Sequence, residues 1–263
     1  MKPRALFAHT TCAVAENLRF FTRLPLGSSP RPPDFSNVAW AAPLAGAAVG
    51  VIAAAIFWLS REIGFPTLVS ATLAVAAEIA VTGALHEDGL ADVADGFGGG
   101  QDRDAKLAIM RDSRIGAYGA VVLGLVLLLR VEATAALGRP YALNAAAALV
   151  FGGAAARAAA LAPLAWLSPA RTDGAGASAG RLGLPALRDM TAWLALIAAA
   201  LGIVSLGVVR ALFACVVAAA VVRLFAGLAR RQIGGQTGDV CGAAAALGQL
   251  AVLLALLIGG RDA

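Results

Sequence analysis

Three aspartates stand close together in residues 85–96 of the chain: Asp88, Asp92 and Asp95. Their spacing is i, i+4 and i+7, which on an α-helix places all three carboxylates on one face, about one turn apart. Like charges at this distance repel each other, and a hard divalent cation, which prefers carboxylate oxygens, relieves the repulsion. Because no Lys or Arg follows before Arg103, the pattern predicts a metal–phosphate site more readily than a solvated loop.

His86 and Glu87 directly precede the first of these aspartates. His86 lies about 200° around a helix from Asp88, so it does not share the aspartates' face, and hydrogen bonding at the interface and catalysis are both open to it. Glu87 lies about 100° from that face, where it either supports the site from behind or acts as a base on the adjacent stripe.

A second polar stretch follows a glycine break at residues 98–100. It predicts a short helix from Asp102 to Asp112 with an aspartate at its N-terminus. Two charged helices joined by a glycine hinge would form a clamp, in which carboxylates hold the cation and the cation holds a diphosphate. Arg111 and Arg114 would take further phosphate oxygens, bidentately where the geometry allows it.

Two later segments are also rich in glycine and charge. Residues 168–181 include Arg171 and fit an anion-binding loop and a plain linker equally well. Residues 230–239 run into the last apolar stretch, whose helix we expect Thr237 or Asp239 to cap. The alternative role for Asp239 is a fourth carboxylate of the cation site, and both interpretations stay open.

Most of the chain is apolar. Of its 263 residues, 60% are hydrophobic and 14% are charged, and the mean hydropathy is +0.80, which excludes a disordered chain and argues against a soluble domain. We therefore predict an all-α fold, a single membrane-embedded domain over residues 1–263 that forms a polytopic helical bundle with short amphipathic helices. The predicted elements are an amphipathic helix at 10–24 and seven spans at 38–59, 67–85, 115–137, 141–167, 191–209, 211–227 and 240–258.

The distribution of basic residues predicts the orientation of the bundle. With the N-terminus inside, the inner segments hold fourteen Lys and Arg residues and the outer segments hold four, the asymmetry that cytoplasmic loops show. This places the polar segments at the cytoplasmic face of a bacterial inner membrane. The net charge of +5 is scattered, so no nucleic-acid partner is expected, and three widely spaced cysteines predict neither a disulfide framework nor a zinc site.

Several charged residues fall inside predicted spans, where charge is costly and usually faces a polar cavity. Glu78 would share the face of Asp88 if the helix continued between them. Arg157 either lines a substrate cavity or pairs with a carboxylate. Arg130 and Glu132 are placed nearer the outer boundary, where snorkelling of the side chains is sufficient to explain them.

These motifs resemble those of a known family. Residues 85–96 closely match the signature of the cobalamin synthases, or adenosylcobinamide-GDP ribazoletransferases, and the match continues through residues 108–116 and 234–239. Residues 20–25 are also similar, so the resemblance spans nearly the whole chain. One departure is Glu87, which stands where an apolar residue is more usual and leaves the aspartates undisturbed.

The resemblance implies a Mg²⁺-dependent integral membrane transferase of late cobalamin biosynthesis. Such an enzyme transfers the adenosylcobinamide-phosphate moiety of adenosylcobinamide-GDP to a ribose hydroxyl of α-ribazole or α-ribazole 5′-phosphate, and releases GMP. Phosphoryl transfer needs charge neutralisation and in-line positioning more than covalent chemistry. The expected metal ligands are Asp88, Asp92 and Asp95. The expected catalytic residues are these three with Glu87, Arg111 and Arg114, and the expected substrate-binding residues are His86, Asp112, Arg157, Arg171, Thr237 and Asp239.

Two other functions compete with this one. A membrane CDP-alcohol phosphotransferase has an arginine shortly after an Asp-Gly pair, and none follows Asp88-Gly89 within five residues. A cation transporter would use Glu78, Asp88 and Asp92 as a pathway, but carriers often show internal repeats and this sequence shows none clearly. The expected partners are two small-molecule substrates and the lipid membrane, with other enzymes of the pathway or a second copy of the chain as further candidates.

Overall fold

The computed structural model describes residues 3–27, 33–139 and 141–259. Within these ranges the regular elements are all helical, and an isolated β-bridge joins Pro169 to Gln236. The helices are α1 (Pro3–Phe21), α2 (Phe35–Val38), which a 3₁₀ turn (Ala39–Ala41) connects to α3 (Ala42–Glu62), α4 (Thr67–Thr82), α5 (Leu85–Gly99), α6 (Arg103–Ile109), α7 (Ala117–Gly138), α8 (Ala142–Leu161), α9 (Pro163–Trp166), α10 (Ala175–Ser178), α11 (Leu184–Leu201), which a π-helical turn (Gly202–Leu206) extends, α12 (Val208–Ile233) and α13 (Gly238–Leu257).

Six helical stretches of the described chain are long and apolar enough to cross a membrane. They are Phe35–Glu62, Ala117–Gly138, Ala142–Trp166, Leu184–Leu206, Val208–Ile233 and Gly238–Leu257. A seventh is obtained if α4 and α5, which are bent by 89° relative to each other, count as one span. The predicted polytopic helical bundle is therefore confirmed, although its second predicted span is not a straight helix.

The bend separates α5 from α4 earlier than expected. We predict a span as far as Leu85, but α4 ends before it, and the backbone turns at Gly83 and Ala84, whose φ angles are 64° and 59°. Glycine adopts this left-handed conformation freely, whereas alanine does so at a cost. The main-chain N–H of Arg23 donates to the carbonyl of Val81 at 2.8 Å, and a Cβ at position 83 would collide with the Arg23 side chain. The chain after α1 thus packs against the bend.

Two helices form the centre of the bundle. The spans that contain α8 and α13 are 89% and 78% buried, whereas the other four are 22–44% buried and lie at the outside of the bundle. Small residues allow helices in membranes to approach closely. A Cβ at Gly46 or Gly50 of α3 would collide with the main chain of α8, so these two helices touch backbone to backbone.

A buried group of polar side chains connects five helices. Arg130 of α7 contacts Glu87 of α5 at 2.5 Å and Glu78 of α4 at 3.0 Å. Glu78 also contacts Arg157 of α8 at 3.4 Å and accepts a hydrogen bond from Gln249 of α13 at 2.8 Å. The expectation that Arg130 snorkels is wrong, because it is 1% exposed and its partners come from α4 and α5. The expectation that Arg157 pairs with a carboxylate is confirmed.

Contacts at both ends of α5 fix its course along α7. Glu87, in the first turn of α5, meets Arg130 in the second half of α7. Asp95, near the other end of α5, accepts hydrogen bonds from the main-chain N–H groups of Gly116 at 2.7 Å and Gly119 at 2.9 Å, at the start of α7. α5 therefore runs antiparallel beside α7, and its aspartates approach the end of the bundle where α7 begins.

Candidate active site

The helices α5 and α13 cross where both carry a glycine. A Cβ at Gly89 would lie 2.8 Å from the main-chain oxygen of Asp239 and 3.2 Å from the Cα of Gly242, so no larger residue fits without moving a helix. The crossing brings Asp88 and Asp92 of α5 up to Asp239, and the negative charges of Asp88 and Asp239 act on the partly buried Asp92. We call Asp88, Asp92 and Asp239 the acidic cluster.

The acidic cluster differs in one member from the predicted set of three aspartates. Asp95 is buried, and both of its carboxylate oxygens accept main-chain N–H groups of α7. Asp239 stands with Asp88 and Asp92, which is the place expected of a fourth carboxylate, and the charge of Asp95 also acts on Asp92. Among the described residues, no three His, Cys, Asp or Glu side chains already have the arrangement of a metal site. The metal ligands therefore stay a prediction.

The first turn of α13 positions Asp239. The hydroxyl oxygen of Thr237 accepts the N–H of Val240 at 3.2 Å, and the same hydroxyl donates to Asp239 at 3.1 Å. Of the two predicted caps, Thr237 is the one that caps α13. The carboxylate of Asp239 contacts the guanidinium of Arg171 at 2.5 Å, so it lies between an arginine and the aspartates of α5.

The glycine-rich segment that contains Arg171 is docked against the start of α13. The N–H of Ala170 donates to the carbonyl of Gln236 at 2.8 Å, and the N–H of Gln236 donates to the carbonyl of Ser168 at 2.9 Å. The buried side chain of Gln236 donates to the carbonyl of Gly176 at 2.9 Å. Residues 168–176 are thus held in place by the 234–239 motif, which is not how a free linker behaves.

A polar pocket of about 210 Å³ opens beside this docked segment. We call it the arginine pocket, and its lining residues are Arg111, Arg171, Asp173, Gly174, Gly238 and Asp239. Arg111 donates to both carboxylate oxygens of Asp173, at 2.7 and 2.8 Å. Guanidinium groups bind phosphate oxygens in pairs, and the start of a long helix attracts anions. The arginine pocket is therefore suited to a phosphate or a diphosphate.

A second, mostly apolar pocket of about 150 Å³ shares Gly238 and Asp239 with the arginine pocket. We call it the aromatic pocket, because three phenylalanines and His86 line it. Its other lining residues are Leu85, Asp88, Gly89, Ala160, Leu161, Leu164, Gly176, Ala179, Cys241 and Gly242. The acidic cluster thus has one pocket for anions and another for an apolar group beside it.

Seven predicted site residues line neither pocket: Glu87, Asp92, Asp95, Asp112, Arg114, Arg157 and Thr237. Two of them still adjoin the site, because Thr237 donates to Asp239 and Asp92 belongs to the acidic cluster. Arg114 is exposed and pairs with Asp112 at 2.5 Å, and its hydrogen bonds lower the pKa of Asp112 to about 2. Arg157 and Glu87 belong to the buried group around Glu78. The structure brings together the other predicted residues, with Asp95 behind them at the start of α7.

The structure also adds residues that the sequence analysis did not single out. Phe35 and Cys241 line the aromatic pocket, and Asp173 lines the arginine pocket. Phe20 and Phe21 belong to a motif that the family resemblance includes, but nothing in that motif indicates a pocket. No spacing rule relates these residues to α5, because they come from separate elements that only the folded bundle brings together.

Comparison with known proteins agrees with these motifs. The family model described as cobalamin-5-phosphate synthase matches residues 13–257. The chain belongs to this family. The match begins within α1 and ends at the last residue of α13, so it includes every element that lines the two pockets.

Relatives with the same printed name are similar over most of their length. A protein of Azorhizobium caulinodans is 46% identical over 255 residues, which is 94% of this chain and 96% of the relative. A protein of Mesorhizobium japonicum is 44% identical over 92% of this chain and 91% of its own. A protein of Shewanella frigidimarina is 38% identical over 82% of each. All three are named adenosylcobinamide-GDP ribazoletransferase. No solved structure matches the chain.

Proposed function

We propose that this chain is an adenosylcobinamide-GDP ribazoletransferase that acts in the final step of cobalamin synthesis. The observation that carries the proposal is the family match over residues 13–257. The geometry supports it, because the residues that carry the family resemblance meet at one end of the bundle. There the acidic cluster stands beside the arginine pocket and the aromatic pocket.

In the proposed reaction, a ribose hydroxyl oxygen of α-ribazole or its 5′-phosphate attacks the phosphorus that carries the cobinamide. The bond between that phosphorus and the oxygen of GMP breaks, and GMP leaves. The hydroxyl proton passes to a carboxylate of the acidic cluster. Glu87, the other predicted base, is buried against Arg130 and lines neither pocket, so the cluster is better placed.

Mg²⁺ is the cation that we propose for the acidic cluster. Asp88, Asp92 and Asp239 offer carboxylate oxygens, the ligands that Mg²⁺ prefers, and their like charges repel one another unless a cation balances them. When bound, Mg²⁺ would neutralise charge on the diphosphate and on the departing GMP. Asp95 has the least capacity left for a metal, because both of its oxygens accept N–H groups, and it positions α5 against α7.

Arg111 and Arg171 are the residues that we propose to bind the diphosphate. Each now contacts a carboxylate, Asp173 and Asp239 respectively, and a diphosphate entering the arginine pocket would take the place of these contacts. Guanidinium groups hold the substrate and spread the charge that develops in the transition state. Arg114 is exposed and lies outside the pocket, so we expect it to contribute less.

We further propose that the chain lies in the inner membrane of a bacterium and that the site is on the cytoplasmic side. The support is the excess of Lys and Arg in the segments that contain the site. The folded chain brings these segments together, since Arg103 of α6 donates to the carbonyl of Ile233 at 3.1 Å and Ala170 pairs with Gln236.

The test is an assay of the detergent-purified protein with adenosylcobinamide-GDP, α-ribazole and Mg²⁺, which measures GMP and the corrinoid product together. We expect equimolar products that disappear when EDTA removes the metal. Asp92→Asn should lower kcat by about 100-fold, and Mg²⁺ should raise the unfolding temperature of the wild type but not of this variant. Asp189→Asn is the matched control, since Asp189 is half exposed and pairs with its neighbour Arg188.

Two results would contradict the proposal. A folded wild-type protein that released neither product would refute the assigned reaction. Near-normal activity of Asp92→Asn at saturating Mg²⁺ would leave the reaction in place but remove the acidic cluster from it.

A further inference from the structure

We infer that the aromatic pocket binds the apolar base of the ribazole substrate, an inference that rests on the proposed function. Ribazole is a benzimidazole riboside, so its base is a flat ring system with an apolar edge. Guanine differs, because it carries hydrogen-bonding groups around most of its edge. The two substrates therefore need pockets of different chemistry, and the structure has one pocket with two arginines and another with three phenylalanines.

The size and the walls of the aromatic pocket suit a small, flat aromatic group. Its volume of about 150 Å³ is that of an apolar protein cavity that binds benzene. Phe20 stands edge-on to Phe35 with ring centres 5.0 Å apart, and Phe21 lies 6.2 Å from Phe35 at 45°. Aromatic rings prefer such edge-to-face and tilted contacts, and a benzimidazole entering the pocket would complete the cluster.

A polar group in the aromatic pocket lacks a partner. His86 is 4% exposed, its ring centre lies 6.0 Å from that of Phe21, and its Nε2 makes no hydrogen bond within the described part of the chain. A buried donor or acceptor left unpaired costs free energy. A benzimidazole riboside has one free ring nitrogen, which accepts a hydrogen bond, and under this inference a ring N–H of His86 donates the single polar contact that the base needs.

The position of the aromatic pocket fits the reaction. Asp88 and Asp239 of the acidic cluster line it, and Gly238 and Asp239 also line the arginine pocket. A base held by the phenylalanines would therefore leave its ribose beside the acidic cluster, where the hydroxyl must lose its proton. The diphosphate in the arginine pocket would lie beside the same carboxylates.

The test fills the pocket without removing any residue of the proposed reaction. Ala179 lines the aromatic pocket and is partly exposed, so Ala179→Leu places new methyl groups in it. Ala177, two residues earlier and also partly exposed, lines neither pocket, and Ala177→Leu is the control. We expect Ala179→Leu to raise both the KM and the Kd for α-ribazole at least tenfold, while the KM for adenosylcobinamide-GDP stays within twofold. The control should leave all three within twofold.

The outcomes separate this inference from the proposed function. If the wild type releases GMP and Ala179→Leu leaves the KM for α-ribazole unchanged, the inference is overturned and the function stands. A rise in the KM for adenosylcobinamide-GDP alone would also overturn it, because the pocket would then belong to the other substrate. If the wild type releases no GMP, calorimetry with free benzimidazole still decides: weaker binding by Ala179→Leu supports the pocket. If the wild type instead binds no benzimidazole and retains a phospholipid that Ala179→Leu does not retain, the inference is refuted.

Discussion

Gly89→Ala is expected to damage the active site while leaving the bundle folded. The new Cβ would lie 2.8 Å from the main-chain oxygen of Asp239, and ordinary contacts of a Cβ begin at 3.4 Å. The main-chain oxygen of Asp239 cannot rotate away as a flexible side chain could. The helices α5 and α13 must therefore separate by about 0.6 Å, the difference between the two distances. A misplacement of about 1 Å costs roughly 100-fold in rate. We expect kcat to fall by about 10- to 100-fold.

The separation should also weaken metal binding, since it moves Asp88 and Asp92 away from Asp239. The measurement is GMP release as a function of Mg²⁺ concentration, with thermal unfolding as the check on the fold. Gly124→Ala is the control: it lies within α7, and nothing stands within 4 Å of its Cβ. A helix interior gains about 0.5–1 kcal/mol from this change, so the control should be active and slightly more stable. A folded Gly89→Ala enzyme with the wild-type rate and Mg²⁺ requirement would refute the reasoning.

Two further pairs of variants test the buried group and the arginine pocket. Arg130→Met leaves Glu87 buried without its cation and leaves Glu78 with only its 3.4 Å pair to Arg157, so we expect a loss of about 3 kcal/mol in the free energy of unfolding. Arg139→Met removes only an exposed 3.7 Å pair and should cost less than about 1 kcal/mol. Thermal unfolding in detergent measures both. Arg111→Ala should raise the KM for adenosylcobinamide-GDP about tenfold, and Arg114→Ala should leave it within twofold. Equal stability losses in the first pair, or equal KM changes in the second, would contradict these assignments.

The architecture of the bundle could largely be predicted from the sequence. Apolar stretches of about 20 residues predict spans because backbone groups in lipid must be satisfied within a helix. The predicted spans 38–59, 115–137 and 240–258 correspond to α3, α7 and α13 within a few residues. The short polar helix α6 and an aspartate cap were also predicted, and the carboxylate of Asp102 does accept the N–H of Ala105. All of these features depend on local sequence.

The bend between α4 and α5 could not be predicted in this way. Ala84 adopts a left-handed φ of 59°, which its own side chain disfavours. The neighbouring residues Val81 and Gly83 contact Arg23, which is far away in the sequence. The same limit explains the error at Arg130: its distance from the end of α7 suggested snorkelling, whereas two carboxylates on other helices hold it in the core.

The aspartates show where spacing stops being informative. Spacing of i, i+4 and i+7 places Asp88, Asp92 and Asp95 on one face of α5, but it does not say what that face meets. The far end of the face meets the N-terminus of α7, whose N–H groups occupy Asp95. The near end meets α13, because Gly89 and Gly242 allow the two helices to touch. Asp239 therefore joins Asp88 and Asp92 through two glycines, and the residues that permit the crossing matter to the site as much as the carboxylates do.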